Sequence, residues 1–113
     1  MRMQALLLSA EVGEISMFDM TTGAYAPGFG VSAKVVDVEA GETYTCQITD
    51  GLAGLDDLKA ARKAKQPIDV MKQVAASVEA QLPPAMTQMV LNVKKVKASK
   101  GFMTLSCVVE SIA

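Results

Sequence analysis

GLDDLKAARKAKQPIDVMKQVAASVEAQL, residues 54–82, is the stretch on which the architecture turns. Its apolar residues recur at intervals of three and four: Leu55, Leu58 and Ala61, then Met71, Val74, Ala75, Val78 and Leu82. That spacing lines one face of a helix. Pro67 has no amide hydrogen, so it is accepted in a helix's first turn but not in its interior. The segment therefore divides into a helix near 54–65 and a second near 67–82, which Pro83-Pro84 stops.

On either side the periodicity falls to two. Just before the helices, Tyr44, Cys46 and Ile48 alternate with Thr43, Thr45, Gln47 and Thr49, which predicts a strand over 42–49 with one face on a core. Glu39-Ala40-Gly41 separates it from a valine-rich strand over 29–38. Small, polar and turn-forming residues predict a loop over 19–28. Residues 3–18 make a long first strand, in which Gly13 suggests a bulge or bend. Beyond the helices come strands over 87–97 and 102–112, joined by the short hairpin Ala98-Ser99-Lys100-Gly101. In the last strand Met103, Leu105, Cys107 and Val109 point one way, and Phe102, Thr104, Ser106 and Val108 the other. The chain is thus mainly β with a helical insert, in the order β-β-β-α-β-β, and residues 1–113 form one domain with the insert at about 54–82.

Five strands leave two raw edges unless the sheet curls shut. A barrel with a helix over one open end would bury Met71, Val74 and Val78; a sheet backed by helices on one face satisfies the same pattern. In element order and residue placement most of the chain resembles the small OB-fold single-stranded-DNA-binding proteins of phages and plasmids. The resemblance implies a five-stranded OB-like barrel that holds an oligonucleotide on strands 2 and 3, between the loops joining strands 1–2 and 4–5.

Composition narrows the chemistry. Half of the 113 residues are hydrophobic and 20% are charged, enough for a core and against global disorder. The net charge of −1 conceals a division. Nine acids stand against Arg2 and Lys34 in residues 1–57, whereas residues 58–113 carry nine bases against Asp69, Glu79 and Glu110. Either a basic patch results, or the two halves attract each other across the fold. There is no histidine, and Cys46 and Cys107 are the only cysteines, so no metal site and no cofactor is expected. The cysteines suit packed thiols, with a bridge between neighbouring strands left open. The apolar run near Met1 is cut short by Glu11 and Glu14, which favours a strand over an export signal and places the protein in the cytoplasm, off the membrane. No arrangement of base and nucleophile suggests an enzyme. Asp56-Asp57 reads as helix capping.

Three clusters could carry binding. Of five aromatics, Phe18, Tyr25 and Phe29 stand in or beside the first loop and Phe102 at the second, where rings can stack on bases; Phe18 and Phe29 suit equally a lid over the barrel end. Lys94, Lys95, Lys97 and Lys100 precede Phe102 closely, so that amines could neutralise phosphates beside a ring, although lysines also guard exposed strand edges. Lys34 on strand 2, and Thr43, Thr45 and Gln47 on strand 3, line the outer sheet face. Lys59, Arg62, Lys63 and Lys65 read more simply as a wet helix face. The expected function is sequence-tolerant binding of single-stranded DNA, or RNA, by a homo-oligomer serving replication or recombination of a phage or mobile element. The competing expectation is a protein-interaction or homo-oligomeric assembly module, such as a small phage structural component, for which eight flexible methionines are suited.

Overall fold

A computed structural model describes residues 1–19, 23–99 and 101–112. The strands are β1 (Arg2–Asp19), β2 (Ala24–Asp37), β3 (Thr43–Asp50), β4 (Gln88–Ser99) and β5 (Phe102–Ile112), with α1 (Leu55–Lys63) and α2 (Ile68–Ala80) between β3 and β4. They close into a barrel in the order β1-β2-β3-β5-β4, antiparallel throughout except for the β3–β5 pair. This is an OB-like barrel with a helical insert. The open sheet that the sequence also allowed does not form.

The interior is built by alternation. Met3, Ala5 and Leu7 of β1 meet Val31, Ala33 and Val35 of β2, Cys46 and Ile48 of β3, Met89, Leu91 and Val93 of β4, and Leu105, Cys107 and Val109 of β5. After Leu7 the inward parity of β1 changes, so that Ala10 and Val12 pack on the core. The register shift between Leu7 and Ser9 makes this possible, because Leu8 is the extra residue. The bulge expected at Gly13 is therefore at Leu8. Gly13 stays in register opposite Gly30, and the apolar run Leu6-Leu7-Leu8 needs the parity change that a glycine did not.

The expected loop over 19–28 is also corrected: β1 runs to Asp19 and β2 starts at Ala24. This part of β2 pairs with β1 alone, so Pro27 can occupy it without removing a bond from a second ladder. The chain is slightly extended as a result, with a radius of gyration of 14.3 Å against about 13 Å for a compact chain of this length.

Both helices form close to their expected limits. Leu55, Leu58 and Ala61 of α1, and Met71, Ala75 and Val78 of α2, are buried. Pro67 stands immediately before α2. Gly54 opens α1 with a φ of 87° and no side-chain cap, so Asp56 and Asp57 act on the helix dipole from its first turn, rather than as caps. A Cβ on Gly54 would stand 2.9 Å from a Val78 methyl, which makes this glycine the close approach between the helices. No helix among the described residues is long and apolar enough to cross a membrane.

Candidate nucleic-acid interface

Register assembles an outer surface that no single segment contains. Lys34 of β2 is opposite Thr45 of β3, Thr45 opposite Thr104 of β5, and Thr104 opposite Lys97 of β4. Ser9 extends the row onto β1. Two residues along, a second row joins Glu11, Ser32, Gln47, Ser106 and Lys95. The alternating neighbours of these residues on β2, β3 and β5 fill the core, so the rows face outwards, and none of their side chains is buried. Lys34 and Lys97 are three strand spacings apart, about 14 Å along the sheet.

Lys95 follows a register shift between Val93 and Lys95 that leaves Lys94 unopposed in the ladder. Among the described residues the ion pairs are Arg2–Glu110 at 2.8 Å and Lys59–Asp50 at 3.8 Å, neither of which engages Lys34, Lys94, Lys95 or Lys97. These four amines are exposed. Thr43 starts β3 opposite Val36, one row nearer the β2–β3 turn. There Glu42 accepts a 2.7 Å hydrogen bond from the Tyr44 hydroxyl. That bond, then burial and the charges of Glu42 and Asp37, push the Tyr44 hydroxyl above its ordinary range. Tyr44 is half-buried at the edge of the core, less enclosed than its alternation suggests.

Among the described side chains, the rings are not gathered with the lysines. Phe29 lies within β2 and packs on the core, the alternative that its position left open. Tyr25 is 73% exposed but sits opposite Phe18 near the far end of β2, nine residues and about 30 Å of extended strand from Lys34. The side chains of Phe18 and Phe102, and all of Lys100, lie outside the described residues. Lys59, Arg62, Lys63 and Lys65 are exposed on and after α1, away from the rows. The structure thus unites Lys34, Thr45, Lys95 and Lys97, with Thr43 and Lys94 adjoining, and adds Ser32, Thr104 and Ser106. The alternation of β5 had already turned Thr104 and Ser106 outwards, but nothing local tells that β5 neighbours β3.

Other sites of chemistry are thin. Two shallow hollows of about 340 and 250 Å³ share Gln4 and Val90 on the β1–β4 seam, across the barrel from β3. Among the described residues no three His, Cys, Asp or Glu side chains gather as a metal site. Cys46 and Cys107 are free, buried and diagonal to one another on β3 and β5. A hydrogen bond with Cys107, then burial, pushes the Cys46 thiol far up.

Comparison with protein-family models, curated proteins and solved structures returns no match. The functional reading therefore rests on the rows.

Proposed function

We propose that the protein binds single-stranded DNA, with little regard to sequence, on the outer surface of β2, β3, β5 and β4. The observation that carries this reading is the pair of cross-strand rows, in which Lys34, Lys95 and Lys97 flank Thr45, Gln47, Thr104 and Ser106. Lysine amines free of ion pairs neutralise phosphates, while hydroxyls and the amide between them donate to phosphate or sugar oxygens. Neither kind of contact selects a base, which makes the binding tolerant of sequence. OB barrels engage about 4–16 nucleotides. RNA presents the same phosphates and is the alternative ligand of this surface. Cytoplasmic replication or recombination of a mobile element is the setting proposed for such an activity.

The test is titration of a labelled oligothymidine over a salt series. Binding that weakens linearly in log–log coordinates is expected, and Lys95→Ala and Lys97→Ala should each flatten the slope by about 0.7. No binding at low salt rejects the proposal, as does a slope that these substitutions leave unchanged.

A further inference from the structure

The seam between β1 and β4 is short, and the two strands run on past opposite ends of it. Its register extends from Arg2 opposite Asn92 to Leu6 opposite Gln88. A bond from the Val93 amide to the Met1 carbonyl ends it on one side, and bonds joining Leu7 to Met86 and Thr87 end it on the other. Among the described residues, β1 past Leu7 is bonded to β2 alone, and β4 past Val93 to β5 alone. Each strand thus keeps one raw edge, a row of amides and carbonyls with no strand beside it. Both edges are open. Leu8, Ser9, Glu11 and Glu14 are exposed, a Cβ on Gly13 would meet nothing within 4 Å, and residues 94–98 are exposed throughout.

The edges are complementary in charge and in register. Residues 8–14 hold two acids and no base, whereas residues 94–98 hold three lysines and no acid. Two β1 edges therefore repel one another, as do two β4 edges, but a β1 edge beside a β4 edge has no such protection. Laid antiparallel, as in the seam, with Val12 opposite Val96, the strands also bring Ala10 opposite Ala98, Glu11 opposite Lys97 and Glu14 opposite Lys94. The faces agree. Ala10 and Val12 pack on the core and Val96 is the partner of buried Leu105, while Glu11 and Lys97 both belong to the outward rows. Sliding by one residue would oppose inward to outward faces. Sliding by two would set Val12 against Lys94 or Ala98 and lose the Glu11–Lys97 match.

We propose that residues 9–14 of β1 in one copy add to residues 94–99 of β4 in the next, so that the sheet continues from barrel to barrel. The occupant is a second copy because the chain holds both edges but places them beyond opposite ends of its own seam, where they cannot meet. Main-chain bonds supply the attachment, and the facing side chains fix its register. The two edges differ, so the contact is heterologous and builds a ring or an open row of barrels. Lys34 and Lys95 stay unengaged. The inference does not rest on DNA binding, although a bound strand would compete with Glu11 for Lys97.

Sedimentation velocity on the intact protein without oligonucleotide, over a concentration series at low salt, tests it. Association that rises with concentration is expected. Glu11→Lys and Lys97→Glu, each shown by circular dichroism to be folded, should each weaken it on the order of tenfold, since a favourable pair becomes a like-charge one. An equal mixture of the two should regain it, because both contacts then oppose lysine to glutamate. A Glu11→Cys variant mixed with a Lys97→Cys variant, under oxidised glutathione, should give more covalent dimer than when mixed with Lys95→Cys, which reads the register directly. A wild-type protein that stays monomeric throughout overturns the proposal. So does association that both charge reversals leave unchanged, a mixture of folded reversed variants that associates no better than either alone, or cross-linking with no preference for Lys97→Cys.

Discussion

Gly51 shows how much can rest on one missing side chain. Its φ is +91°, and an added Cβ would run into the Val109 carbonyl of β5. Conformation and contact both demand glycine where β3 hands over to the helices. Gly51→Ala is expected to lower unfolding free energy by about 2–4 kcal/mol, read as a shifted urea midpoint at unchanged slope. Cys46 supplies a second test at this scale. Its thiol is held well above its ordinary pKa of 9.0 by Cys107 and burial. A raised folded-state pKa gives stability that is whole below the unfolded value and is lost as pH climbs beyond it, since only the unfolded chain then releases the proton. Above about pH 9 stability should fall, and replacing the pair, Cys46→Ala with Cys107→Ala, should make the decline shallower by as much as about 1.4 kcal/mol per pH unit. Urea midpoints at pH 8, 9 and 10 would check it; identical slopes for variant and parent would refute the assignment.

Among the elements, the bulge at Leu8 decides which side of β1 meets the core. Deleting Leu8 would leave Leu7 and Ser9 consecutive, opposite the consecutive Val35 and Lys34, so that plain alternation keeps Ala10 and Val12 on the core and Ser9 and Glu11 outside. The deletion variant is expected to keep protection from amide exchange along β1 past Leu7 and along the facing part of β2; loss of that protection would contradict the assignment of Leu8 as the extra residue. The same element shows where sequence reading succeeds and stops. The helices were legible because spacing and Pro67 agree, and β3 because its alternation is unbroken. The beginning of β2 was not, because Pro27 and Gly28 signal a turn locally while one-sided pairing with β1 makes them acceptable in a strand. Gly13 drew attention as the bulge, whereas the true signal was three successive leucines that cannot all face inwards. Met103 was assigned to the interior stripe of β5 correctly by parity, yet it is exposed because β1 does not reach that far along β4. The lysines were visible as a cluster. Their alignment with Thr45 and Lys34 was not, since it depends on the parallel β3–β5 pair, which joins residues more than fifty positions apart.

For the molecule as a whole, closure depends on the first few residues. Met3 and Ala5 fill the barrel from the strand that seals β4, and Arg2 holds Glu110 of β5 at 2.8 Å. A chain lacking residues 1–6 should lose its cooperative thermal transition and bind a hydrophobic dye, with β4 left as a raw edge. The seam has a further consequence in time. A ribosome delivers β1, β2 and β3 long before β4 and β5, so during synthesis three strands wait with uncovered flanks for partners not yet made. Folding to completion is thereby postponed until the final strand has emerged, and the nascent chain is most vulnerable to sticking to its neighbours in that interval.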